Sequence, residues 1–467
     1  MQLSLPQRRE GAKNPVDPSA GHQGRIMSRK PVILMLLSLL CVCPGTLAQT
    51  REKLALLIRN IYGPNGLVVD SEDFLPDGSN HSAHFNSAFQ SNFTQFNIAL
   101  ASQLAAVPIP SPAAGFTYTF DSSTGTFKRS TQSFGPILAD RAETIGRKRY
   151  SLGFNYQAFT FDSLEGVDLF NVPAVFTHDD FQLGGGRADV VTTVNSIEAT
   201  VGQFTAFLSY GLADKLDLAL VVPIVRTRLN VVSDATIQRI GTAGNPRVHF
   251  FRNPAAPGTF GSQKRFFSSG TASGLGDLIV RLKGNVLEKG HTGLALGLDV
   301  RVPTGDERDL LGSGAMGAKP FAALSFIYKR FSPHINLGYQ WNGDSLLSGD
   351  VGTGRKEDLP DQLLYVAGID IGIDDRFSFA FDFLGQRVID SPRLIRTAFT
   401  ATAGATSATF PDIRFDRASF SEANGATGFK ANLAGRLLLN FNLLFRMNKT
   451  GLRDKVTPLL GIEYSFQ

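Results

Sequence analysis

Cysteine is almost missing from this chain of 467 residues, which holds only Cys41 and Cys43. Both fall in a stretch that reads as a removable leader, so the mature chain can form neither disulfides nor thiolate metal sites. Charged residues make up only 19% and tryptophan occurs once, at Trp341. Long apolar runs are equally scarce: one spans Pro31 to Ala48, where a helical membrane protein would need spans of about 20 residues. An excess of one charge sign is missing as well. Residues 1–48 hold six Lys or Arg and two Asp or Glu, which leaves 40 of the 46 basic and 39 of the 41 acidic residues in the remainder. The basic character belongs mainly to the leader and gives no argument for nucleic-acid binding.

That leader has a recognisable grammar. Ser28, Arg29 and Lys30 form a short basic start, an apolar core follows, and Thr46-Leu47-Ala48 offers small residues before a cut. Residues 27–48 are therefore expected to be a signal peptide, with the mature chain starting at Gln49. The apolar core is short for a membrane anchor, and Leu40 and Val42 are too large for lipoprotein processing at the cysteines. Residues 1–26, ahead of Met27, read as an upstream extension or a misplaced start.

Phenylalanine is what the chain has in quantity, 37 residues against nine tyrosines. The mean hydropathy is nevertheless near zero, which suits apolar residues alternated with polar ones. From residue 149 the alternation is regular. Tyr150, Leu152, Phe154 and Tyr156 interleave with Ser151, Gly153, Asn155 and Gln157, and Phe377, Phe379, Phe381 and Phe383 stand opposite Ser378 and Asp382. The period is two, that of a strand with two unlike faces. Connections near 212–215, 288–293, 329–333, 374–376 and 434–436 are short, whereas those near 163–194, 230–274, 302–319, 342–361, 387–424 and 446–455 are long. A transmembrane barrel sorts its loops in this way; a soluble sandwich has no reason to. The fold expected is all-β, a transmembrane antiparallel β-barrel over residues 149–467 with 12 strands, or 14 if residues 95–130 add two. Trp341, Tyr210 and Tyr464 are expected at its interfacial girdles.

Residues 49–148 lack that regularity and are expected to form a mixed helical and irregular segment, either a plug or periplasmic. Leu54, Leu57, Ile58 and Ile61 predict a short amphipathic helix between Arg51 and Tyr62. Phe116, Tyr118 and Phe120 before Asp121-Ser122-Ser123-Thr124-Gly125 suggest a hairpin, and Phe96, Ile98 and Leu100 fit either a strand or a helix.

Gly274-Leu275-Gly276-Asp277-Leu278, the run Asp299 to Asp306 with Pro303-Thr304-Gly305, Asn336-Leu337-Gly338-Tyr339 and Leu452 to Pro458 resemble the outer-membrane barrel family labelled for the meta-pathway of phenol degradation. That family is similar to the outer-membrane transporters of long-chain fatty acids and aromatic hydrocarbons. The resemblance covers roughly residues 145–467 and rests on turn and strand signatures. It implies uptake of hydrophobic compounds and names no substrate. The Asn-Pro-Ala hatch signature of the fatty-acid transporters is not evident.

The inward residues are the candidate lumen lining: Asp277, Arg281, Lys283, Asp299, Arg301, His334, Asn336, Gln340 and Asp382. Arg281 and Asp299 should face each other across a hairpin, and both charge signs are present, which argues against a strongly ion-selective ring. Phe250, Phe251, Phe266 and Phe267 lie in stretches read as external loops and are candidates for capturing solute. Catalytic signals are weak. Gly312, Gly314 and Gly317 fit a GxGxxG spacing without a strand–helix context, His81 and His84 lack a zinc-helix spacing, and Asp306-Glu307-Asp309 reads as a solvated loop. No cofactor or metal is expected. The functional reading is an outer-membrane channel, in contact with outer-membrane lipid, for small hydrophobic solutes. The alternatives are a structural or adhesive barrel and an outer-membrane lipid hydrolase.

Overall fold

Twelve antiparallel strands close on themselves in the computed structural model, each pairing with its neighbour in sequence and the last with the first. They are β1 (Tyr150–Leu164), β2 (Val190–Ala213), β3 (Leu216–Gln238), β4 in two pieces (Gln263–Leu275 and Leu278–Lys289), β5 (Thr292–Val302) and β6 (Gly317–Phe326). The ring continues with β7 (Phe331–Asn342), β8 (Gln362–Gly372), β9 (Phe377–Ala403), β10 (Thr406–Ala434), β11 (Leu437–Arg446) and β12 (Val456–Phe466). The structure describes residues 52–466 apart from 64–65, 73–84, 87–93, 107–117, 122–125, 130–132 and 179–184. The leader and the expected start at Gln49 lie outside the described residues, as do His81, His84 and Phe116.

The alternation has a solvent-side explanation. On β3, Leu218, Leu220 and Ile224 point outward at 38%, 41% and 50% exposure, while Asp217, Ala219 and Val221 point inward and are buried. Leu296 and Leu298, Ile335 and Leu337, Phe377, Phe379, Phe381 and Phe383 of β9, and Leu460 and Ile462 extend the same exposed band around the ring. Burying one such side chain is worth roughly 1.5–3 kcal/mol, so a continuous apolar band is stable only against hydrocarbon. Closure follows from the same solvent, because a sheet edge in lipid would leave its backbone groups unbonded. Tyr150 stacks on Tyr210 at 4.6 Å beside the short turns, with Tyr464 on the same rim, and Trp341 lies toward the opposite end of β7.

The ring has the 12 strands expected, and the alternative of 14 falls away. The described residues among 95–130 add no strand to the ring: Thr94–Ala106 forms a helix, α1, and Tyr118–Asp121 pairs with Thr126–Arg129 as a separate hairpin. The helix expected over 51–62 reduces to one 3-10 turn at Leu54–Leu56, with turns on to Tyr62. Leu54, Leu57, Ile58 and Ile61 are all buried, packed against barrel residues such as Leu229 and Val231. Contacts on several sides hold this stretch without a regular helical stripe.

The connection at 387–424 also differs from its sequence reading. It is not a loop: β9 and β10 run on as a paired hairpin to a turn at Gly404, whose φ of +57° suits glycine. Past the apolar band both faces of this ribbon carry Thr, Arg and Asp, so the two-residue hydrophobic period fades although the pairing persists. Between the two pieces of β4 the ladder is broken opposite Pro223, which has no N–H to donate; Gly276 N–H reaches the Pro223 carbonyl at 2.8 Å.

Candidate functional site: the barrel lumen

Residues 133–146 have no strand or helix of their own and run through the short-turn end of the barrel interior. A peptide threaded there needs partners for its backbone, and the inward side chains supply them. Ser378 Oγ accepts from Phe134 N–H at 2.9 Å, Ser325 Oγ from Ala142 N–H at 2.9 Å, and Asp217 from Ile145 N–H at 3.0 Å. Asn336 accepts from Asp140 N–H and donates to Asp140 C=O, both at 2.7 Å. Lys283 Nζ donates to the carbonyls of Arg141 and Glu143 at 3.0 and 2.9 Å.

At the centre of this wall Arg281 and Asp299 are register partners. The guanidinium donates to both Asp299 oxygens at 2.6 and 2.7 Å and to Asp140 at 2.9 Å, and lies 5.0 Å from the centre of the Phe321 ring. Arg301 donates to the Ala105 carbonyl in the last turn of α1 at 3.0 Å and to Asn342 at 2.7 Å. A cation there satisfies a helix-end carbonyl and complements the helix dipole. Asp277 accepts from Ser313 N–H and Oγ at 2.8 and 2.6 Å, which ties the 303–316 loop to the break in β4. His334 Nε2 lies 2.7 Å from Asp382, its Nδ1 3.4 Å from Asp370, and all three are buried. Gln340 is buried and donates to the Trp341 carbonyl at 2.8 Å.

The sequence reading missed Asp140 as the segment's partner for Arg281, and it did not mark Asn285, Ser325, Ser378 and Lys430 as barrel groups that hold the segment. Asp140 lies in an irregular stretch, and nothing in the period of a strand says which backbone its inward side chains will meet.

The aromatic candidates lie apart from this wall. Phe250 and Phe251 are buried, Phe250 edge-on to Phe260 at 4.9 Å. Phe266 and Phe267 belong to β4 instead of a loop; Phe266 meets Tyr62 at 5.1 Å inside, and Phe267 faces outward at 77% exposure.

Between the end of α1 and Asp140 the lumen keeps a cavity of about 150 Å³, a volume that can hold one aromatic ring. Phe159, Phe161, Leu138, Val366 and Leu444 line part of it, and Arg281, Lys319 and Arg446 line another part.

These features define a transmembrane β-barrel whose interior is crossed by its own N-terminal chain. Residues 175–357 match the family model described as "Putative MetA-pathway of phenol degradation", a stretch that contains three of the four signatures quoted above. No curated protein matches the chain. Among solved structures, the COG4313 outer membrane channel from Pseudomonas putida F1 aligns with a TM-score of 0.42 at 14% identity, over 71% of this chain and 100% of that one. The P. putida toluene transporter TodX aligns at 0.32 and 10% identity, over 69% and 90%. A Pseudomonas aeruginosa FadL homologue aligns at 0.31 and 12%, over 77% and 97%.

Proposed function

We propose that the protein is an outer-membrane channel for small hydrophobic solutes, not an enzyme, in a Gram-negative-type bacterium to which residues 27–48 export it as a signal peptide. The observation that carries this reading is the part-apolar cavity in the lumen of a lipid-facing barrel, with the threaded chain between it and the short-turn end. A polar solute gains nothing from Phe159, Phe161 and Leu444, whereas a hydrocarbon-sized solute replaces water there at a gain set by the apolar area it buries. Residues 49–148 act as the plug. Loops bearing Phe250 and Phe251 are the entry, and their burial means that entry involves opening the loop core.

Uptake into cells with a lipopolysaccharide outer leaflet tests this, comparing labelled toluene and benzyl alcohol with a polar solute of similar size. Expression should accelerate entry of the two aromatics and leave the polar solute unchanged. Equal rates in expressing and empty cells would overturn the proposal and favour a structural or adhesive barrel.

A further inference from the structure

The charged groups around the cavity differ in how fully they are used. Asp140 accepts from Arg281, Asp299 from Arg281 and Lys319, and Asp454 from Thr160 N–H and Thr457 Oγ1. The cation Arg301 is engaged with two carbonyls and an asparagine. Arg446 bonds Asp162 and Ser163 through one nitrogen, Nη1, and Lys319 is used as sparingly. Its ammonium has three N–H bonds and one carboxylate partner among the described residues, Asp299 at 3.0 Å; its side chain is 23% exposed where that of Asp299 is 5%. It sits on an inward position of β6 and lines the same cavity as Phe159, Phe161 and Leu444.

We infer that the cavity is a binding site for small amphipathic carboxylates, with the anionic head on Lys319 Nζ and an aromatic or short aliphatic body against the apolar wall. This deepens the channel reading and rests on it. An ammonium head would compete for carboxylates already held by Arg281 and Lys319. A neutral apolar solute gains from the apolar wall but offers the Lys319 ammonium no acceptor. A carboxylate supplies the missing acceptors by charge-assisted hydrogen bonds and adds the negative charge that the half-used ammonium lacks.

Titration calorimetry of the folded protein in detergent tests this with benzoate and with benzyl alcohol, which has the same ring and a neutral head. Wild type should bind benzoate more tightly than benzyl alcohol. Lys319→Gln should weaken benzoate by about ten- to a hundredfold, the range of a charge-assisted hydrogen bond, and leave benzyl alcohol within about twofold. Lys319→Arg should retain most of the benzoate preference, which separates loss of the charge from loss of the fold. Equal affinity for the two probes in wild type, or benzoate affinity unchanged in Lys319→Gln, would overturn the assignment. In that event aromatic uptake by cells would persist, whereas failure of the channel reading would remove uptake of benzyl alcohol as well.

Discussion

The Arg281 guanidinium joins two parts of the chain that lie far apart in sequence, Asp299 on the neighbouring strand and Asp140 on the threaded segment. All three side chains are buried or nearly so. Breaking such an arrangement from the cationic side takes the Arg281 partner from Asp140 and leaves Asp299 with Lys319, which costs up to about 3–5 kcal/mol in a buried site. Arg281→Ala should therefore lower stability by about that amount in urea titrations of the protein in lipid vesicles, read from its electrophoretic mobility without heating. Asp140→Asn keeps the Arg281–Asp299 pair and should cost far less. A similar loss in both variants would show that the strand pair contributes little by itself. The residue scale is also where sequence was half informative. Alternation puts Arg281 and Asp299 on the same inward face of neighbouring strands, and a bulge at Val286 shifts the register set by the β4–β5 turn by one residue to bring them opposite each other. Asp140 has no period to betray it, so its part in the same cluster needed the structure.

At the scale of elements, the segment 133–146 is held by side chains and not by a ladder. Each bond to Ser325, Asn336, Ser378 or Asp217 exchanges for water at a small net cost, so the segment can leave the wall piecewise where a strand could not. Ala142 N–H lies 2.9 Å from Ser325 Oγ, and the chain has no cysteine beyond Cys43. Ala142→Cys with Ser325→Cys should form a single engineered disulfide that pins the segment to β6. If the segment moves during passage, oxidation should abolish aromatic uptake and a reductant should restore it; uptake equal in the two states would mean that solute passes without displacing this stretch. Sequence marked residues 49–148 as irregular but could not place them, since burial of irregular chain depends on polar partners scattered over many strands. The long β9–β10 ribbon was missed for the opposite reason: beyond the apolar band it mixes Thr, Arg and Asp with Phe399, Phe410 and Ile413, so a strand was present without the alternation that announces one.

For the molecule as a whole, the decisive property is that its outside is more apolar than much of its inside. Phe381, 49% exposed, lies in the middle of the β9 band, two positions from Phe379 and Phe383, while Phe377 opens the strand beside the short turn. A charge on the lipid face is penalised by depth, about 2–4 kcal/mol for arginine near the bilayer midplane and about 0–1 kcal/mol near an interface. Phe381→Arg should thus cost several times more than Phe377→Arg when unfolding is followed in vesicles, with the difference shrinking in detergent micelles, which deform around a charge. In water the same two substitutions would be mild or even favourable, because each replaces an exposed aromatic with a solvated side chain. A depth-dependent penalty that appears in bilayers and fades in micelles is therefore the signature of a barrel embedded through this band, and equal costs at the two positions would mean that the band faces something other than hydrocarbon.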